Sequence, residues 1–152
     1  MDRIQKERGA SGRAPLTPDP NLVITARAHS KEMAEQGYFA HESPGPGAST
    51  PVQRFLETLR AGGQAIPSYV LVGENIYHNS LVLPGTGADA AHRAFLASPS
   101  HRRTMLSPSY AFMGVGAYES ADGGLWITEM FLRVTPWTTE DLDPIAEPGA
   151  PH

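Results

Sequence analysis

The sequence predicts an α+β layered domain. Amphipathic helical segments fill most of the first two thirds of the chain, and two apolar, strand-like runs close it. Between those runs lies Ala121-Asp122-Gly123-Gly124, a hairpin signal that makes them antiparallel neighbours. Helices first and a hairpin late are the pattern of helices packed on a sheet rather than of an alternating α/β fold.

Taken in order, Met1 to Arg8 reads as polar helix that closes at Gly9, followed by a Pro-rich connection from Gly12 to Pro20. Asp19 can cap the next helix, Pro20 suits its first turn and Gly37 can end it. Leu22, Ala26, His29 and Met33 fall on one stripe of that helix, which should face the core. Tyr38 to Ser49 is a loop around His-Glu-Ser-Pro-Gly-Pro-Gly. Thr50 and Gln53 form a capping-box pattern that starts a helix with Val52, Phe55, Leu56 and Leu59 inward, stopped at Gly62-Gly63. Tyr69 to Val72 reads as a short strand running into Gly73-Glu74-Asn75-Ile76, and Asn79 to Gly87 as a loop. A helix over Ala88 to Ala97 turns Ala88, Ala91 and Phe95 inward, and Ser98-Pro99 begins a short helical turn carrying His101 and Met105. Phe112 to Tyr118 and Leu125 to Val134 are the hairpin strands.

Composition narrows the function classes. The length of 152 residues suits one domain with a sizeable core, assigned to 1–135, with 136–152 an acidic, Pro-rich tail. No run approaches the roughly 18 apolar residues of a membrane span. Twelve Lys and Arg against 16 Asp and Glu leave a charge of −4. With no dominant basic cluster, a nucleic-acid footprint is not expected; His101-Arg102-Arg103 is a short solvated patch. The absence of cysteine excludes disulfide scaffolds, zinc–thiolate sites and thiol nucleophiles. Met1-Asp2-Arg3-Ile4 opens without an apolar signal region, as in a cytosolic chain or one from which a leader has been removed.

Five short motifs then fall in order. The run Ala28-His29-Ser30 through Met33-Ala34, Gly37-Tyr38-Phe39, His41 and Ser43-Pro44 is the first, and Gly73-Glu74-Asn75-Ile76 the second. Phe95, Ser98-Pro99, His101-Arg102, Met105-Leu106, Pro108 and Tyr110 make the third. Gly114-Val115-Gly116 and Trp126, Thr128-Glu129 and Phe131 complete the set. Together they resemble bacterial secreted members of the CAP superfamily of cysteine-rich secretory, antigen 5 and pathogenesis-related 1 proteins. The resemblance implies a three-layer α-β-α sandwich with a small antiparallel sheet between helices, export from the cell, and a central cleft of two His and two acids. His41 matches the first His, Glu74 the acid of the Gly-Glu-Asn segment and His101 the second His. Ser98 stands where the remaining acid is usual, so the tetrad is incomplete here. Some members hold a divalent ion between the two His, which makes His41 and His101 candidate ligands for zinc or another divalent cation.

Residue chemistry leaves more than one use for these groups. His41, Glu74 and His101 lie in or beside Gly- or Pro-bearing loops, a common setting for function. Two imidazoles and a carboxylate can hold Zn²⁺ with a position open to water. They can equally make a His–carboxylate pair for acid–base work near neutral pH. The structural alternative is that His101 orients backbone and Glu74 accepts loop amides. Glu129 shares a strand face with Leu125, Ile127 and Phe131, and an acid there needs a partner or a cleft. Relatives often carry Gln at its place, which favours a hydrogen-bonding role; Arg54 is a plausible partner for one of the acids. His29 is expected to be a satisfied core histidine, and His78 and His92 exposed without useful partners. Ser43 lacks the elbow of a serine hydrolase. The expected function is a monomeric, exported binding module for a small apolar ligand, a lipid or a cell-surface component, possessing the cleft residues His41, Glu74, His101, Ser98 and Glu129. The alternative is a metal-dependent hydrolase or peptidase using a His41/His101 metal with Glu74 as base.

Overall fold

A computed structural model describes residues 1–45, 49–83 and 85–136. The proposed tail, from 137 on, lies outside the described residues. In chain order the elements are α1 (Asp2–Ala10), β1 (Thr17–Pro18), α2 (Pro20–Gln36), α3 (Pro51–Ala61), β2 (Leu71–Asn79), α4 (Gly87–Ala97), α5 (Pro99–Leu106), β3 (Phe112–Glu119) and β4 (Leu125–Arg133). The sheet runs β1-β3-β4-β2. Its two-residue β1 is parallel to β3, and the longer strands are antiparallel. Consecutive residues of a strand face opposite sides, so β4 feeds two cores. Ile127 and Phe131 pack with Ile4, Ala91, Phe95 and Met105 from α1, α4 and α5. Met130 and Leu132 pack with Leu22, Ala26, Phe55 and Leu59 from α2 and α3. The result is an α-β-α sandwich.

Local signals place α2 with accuracy. The Asp19 carboxylate accepts the amides of Asn21 and Leu22, and Gly37 ends the helix in the left-handed region at φ 70°. Leu22, Ala26, His29 and Met33 are all buried, as their spacing requires. Facing them on β3 are Gly114 and Gly116, where an added Cβ would run into the main chain of Leu22–Val23 and Ala26–Arg27. The helix therefore rests on bare strand backbone, close enough for Ser30 Oγ to reach the carbonyl of Gly116 and the hydroxyl of Thr128. On α3 the Thr50–Gln53 capping box forms in both directions. Arg8 of α1 is buried and donates to the carbonyls of Ala14, Met105 and Ser107, tying α1 to the C-terminal end of α5.

Several expectations change. Strand β2 covers nine residues, so Glu74 sits inside a strand and not in a loop. Its polar residues Glu74 and Asn75 disguised it, because their side chains are buried against polar partners rather than apolar ones. The short turn around His101 is a helix of eight residues. Ala88 is exposed; the inward position of the first turn of α4 belongs to Gly87, whose bareness admits Leu125. His92 is half-buried, 3.7 Å from Glu7. His78 is exposed but stacks on Trp126 with ring centroids 4.2 Å apart.

Because α2 touches the main chain of β3, Gly116→Ala should cost about 3 kcal/mol through overpacking, read as a shift in the urea midpoint. A neutral result would mean that α2 does not need this close approach.

Candidate functional site

The site grows from a buried acid on an edge strand. Glu74 projects from β2 toward α2 and α3, and its side chain is only 1% exposed. A carboxylate so enclosed must be paired. Arg54 of α3, itself buried, donates to Oε2 at 2.7 Å, and Nδ1 of His41 lies 2.9 Å from Oε1. Arg54 is anchored in turn by the carbonyl of Ser49 at 2.6 Å. The His41 side chain is 52% exposed, so Glu74 fixes one ring nitrogen while the ring's other side meets solvent.

Beneath His41 lies a second polar layer. His29 is fully buried, with Nε2 3.0 Å from the carbonyl of Ala40 and 3.9 Å from Glu74 Oε1. A carbonyl only accepts, so Nε2 carries the hydrogen. Burial, helped by Arg54 and opposed by Glu74, lowers the His29 pKa. Glu32, one turn further along α2, accepts from Tyr38 and Ser43, each at 2.8 Å. Burial works to raise the Glu32 carboxyl, but these bonds hold it below its usual range. Burial, with Glu32 as acceptor, pushes Tyr38 up to about 12. Ser43 is thus occupied with Glu32 and is no nucleophile beside a histidine. A groove of about 460 Å³ opens between α2 and α3 next to these groups, with His29, Glu32 and Arg54 in its wall.

His101 arrives from the opposite face. Asn75 follows Glu74 on β2 and points the other way, where its amide nitrogen donates to the carbonyl of His101 and to Glu129 Oε2, each at 3.1 Å. The His101 ring packs edge-on against Phe95. Burial and then the charge of His41 lower its pKa. His41 and Glu74 therefore meet directly, whereas His101 is tied to β2 through its main-chain carbonyl on Asn75. Glu129 does not join them in the cleft. It is buried on the far face behind Asn75, and burial pushes its pKa up to about 7 against the help of Asn75. Ser98 stays at the α4–α5 junction, its hydroxyl 3.2 Å from that of Ser100. Among the described residues no three His, Cys, Asp or Glu side chains converge to hold a metal ion.

Sequence reasoning passed over the site roles of His29, Glu32, Tyr38 and Asn75. The available signal was Glu32 one turn after His29, an acid at the margin of the buried stripe of α2 beside a polar group that needs a partner. The charged Arg54 beside the inward Phe55 was a similar sign.

The fold recurs in known proteins. The model of the CAP family, described as the cysteine-rich secretory protein family, matches residues 1–131. The chain belongs to the CAP family. The uncharacterized protein YkwD of Bacillus subtilis is 32% identical over 132 residues, 87% of this chain and 45% of that protein. The uncharacterized membrane protein YlbC of the same species is 30% identical over 116 residues, 76% of this chain and 30% of its own length. This CAP chain thus spans less than half of either relative. Among solved structures, an extracellular protein of Bacillus anthracis containing an SCP domain matches with a TM-score of 0.67 and 28% identity, over 86% of this chain and 37% of that one. An outer surface protein of Borrelia burgdorferi shares the fold, with a TM-score of 0.72 at 19% identity over 88% of this chain and 89% of that one. No helix among the described residues is long and apolar enough to cross a membrane.

Two predictions follow from the buried acids. Arg54→Met should destabilise the fold by about 3–5 kcal/mol, since it strands the Glu74 charge, and Arg54→Met with Glu74→Leu should recover most of the loss in denaturant titrations. Equal damage from both variants would show that the pair does not act as a unit. Glu129 binds its proton more tightly when folded, so its contribution is full below the ordinary carboxyl pKa of 4.5 and is lost as pH rises toward about 7. Compared with Glu129→Gln, the parent should lose up to about 3 kcal/mol between pH 4 and 8. Parallel stability–pH curves would refute that assignment.

Proposed function

We propose that this CAP domain is an exported binding module whose cleft at His41, Glu74 and His101 receives a small apolar ligand, a lipid or a cell-surface component. One observation carries the choice of binding over turnover: both oxygens of Glu74 are engaged, one by Arg54 and one by His41. A base that activates water needs a free oxygen facing substrate, whereas Glu74 is sealed and serves to orient an imidazole. What remains open to a ligand is the half-exposed His41 ring, with Phe39 51% exposed two residues away. A polar nitrogen beside an apolar ring suits an amphiphilic ligand. The Bacillus anthracis neighbour is an extracellular protein and the Borrelia burgdorferi neighbour an outer surface protein, which supports export.

A second reading rests on how His41 is held. A carboxylate on one ring nitrogen is the usual support for a histidine that binds metal through the other. His41 and His101 would then be the protein ligands, and the rest of the sphere would be water or ligand. The donor set fits a loosely held divalent ion and not a closed structural zinc site. Such an ion would act as a Lewis acid on a bound carbonyl or phosphoryl oxygen, the basis of the hydrolase alternative. Loss of His101 from a neutral, burial-favoured state below its lowered pKa would weaken the ion's hold.

Native mass spectrometry of the chain purified from its own host should show a bound small molecule that is lost in His41→Ala. Zinc titration of parent, His41→Ala and His101→Ala separates the two readings. A ligand retained without zinc supports the binding module. Chelator-sensitive cleavage of a peptide library would overturn it in favour of hydrolysis.

A further inference from the structure

Read along the chain, Arg102-Arg103 is a short solvated patch, but the fold adds a third arginine from a distant segment. A pocket of about 480 Å³ lies where the connection after α1 meets the α4–α5 corner, with Arg13, Arg102 and Arg103 in its wall. Leu96, Leu106 and Pro108 give the same wall apolar surface. The chain has 16 acids against 12 Lys and Arg, yet no Asp or Glu among the described residues lines this pocket. It lies on the α1, α4 and α5 side of the sheet, whereas Glu74 and Arg54 face α2 and α3.

Arg8 sharpens the imbalance. It is 1% exposed and donates to the carbonyls of Ala14, Met105 and Ser107, the last a residue of the pocket wall. Carbonyls solvate a guanidinium but bring no full negative charge. Among the described residues no carboxylate pairs with Arg8, although a buried cation ordinarily has one. Burial and then the charge of Arg13 lower the Arg8 pKa, so these two cations stand close enough to repel. An anion received at this wall offsets that repulsion.

The wall also defines the anion. Guanidinium forks match carboxylate and phosphate oxygens in paired hydrogen bonds, and a concave wall of one sign focuses its field on the ligand. The volume falls in the range of small-molecule sites, roughly 300–1,000 Å³. Apolar surface beside the arginines favours an anion with an apolar body over a bare inorganic ion.

We propose that this pocket binds a small organic anion, its carboxylate or phosphate head on Arg13, Arg102 and Arg103 and its apolar body against Leu96, Leu106 and Pro108. The site goes beyond the cleft reading and needs no residue of the His41 cleft.

Calorimetric titration of the full chain with phenylacetate and with phenyl phosphate tests it, with benzyl alcohol as the neutral body and inorganic phosphate as the bare head. At least one of the two organic anions should bind about tenfold tighter than either control, and the tighter of them identifies the head. Arg102→Gln with Arg103→Gln should weaken that anion by about tenfold, and added salt should weaken it in the parent. Amide shifts on binding should centre on Leu96, Arg103 and Ser107. Should the double variant lose its fold, the controls and the shift map on the parent decide. Benzyl alcohol or inorganic phosphate binding as tightly, full affinity in a folded double variant, or shifts centred on His41 would each overturn the proposal. So would binding to phosphatidylglycerol vesicles with neither soluble anion bound, which would assign the arginines to a membrane surface.

Discussion

A carboxylate held out of water on an edge strand is costly, and the layout of this cleft follows from how that cost is met. Glu74 needs a cation, so α3 must bring Arg54 to within 2.7 Å. Arg54 in turn draws in the carbonyl of Ser49, which orders the end of the loop that leaves α2. With both ends of that loop fixed, its His41 falls onto the remaining oxygen of Glu74. The helix that launches the loop is located by contact with the bare backbone at Gly114 and Gly116. A packing feature on β3 and an ion pair on β2 thus jointly decide where an exposed imidazole stands.

The polar layer under His41 shows why the ring can be held without being buried. His29, Glu32, Tyr38 and Ser43 satisfy one another through hydrogen bonds, and outside that set they meet the carbonyl of Ala40, the Glu74 carboxylate and the donors of Ser49 and Arg54. A fully connected network is stable in a low-dielectric interior, whereas one missing partner would leave a costly orphan. Two buried atoms do lack a partner among the described residues, Arg54 Nε and Asn75 Oδ1. They belong to the two residues that meet the site from either side of the strand, Arg54 with its terminal nitrogens given to Ser43, Ser49 and Glu74, and Asn75 with its amide nitrogen given to His101 and Glu129.

Periodicity and capping made the helices legible. Asp19, Pro20 and Gly37 bound α2, Thr50 and Gln53 open α3, and the Gly-bearing turn before Leu125 sets the final hairpin. Those signals are local, and local rules read them. Strand β2 was legible only at its apolar start, since a buried Glu or Asn looks like a loop residue until its partner from another element is known. The same reason hid Glu32 and Asn75, while His41, Glu74 and His101 were visible through motif order. Ser98 was placed in the cleft by its position before His101, but a capping position at a helix junction directs its hydroxyl to Ser100 instead. Glu129 was read on the correct strand face; its distance from the cleft follows from Asn75 standing between.

Asn75 is the residue that makes one site out of two layers. As an amide it spends its two hydrogens on the His101 carbonyl and on Glu129, fixing α5 to the strand and giving a buried acid a donor. An aspartate there would set two carboxylates against each other, and a leucine would strand both acceptors. The neutral side chain therefore lets Glu74 and Glu129, acids on opposite faces, sit close in register without a shared charge problem. It also pins the His101 backbone at its carbonyl while the ring packs edge-on against Phe95. The half-exposed His41 ring thus stands on a rigid support, with the carboxylates of Glu32, Glu74 and Glu129 already committed to partners. That division between committed acids and available imidazoles is the physical basis for reading the cleft as a place where something is held.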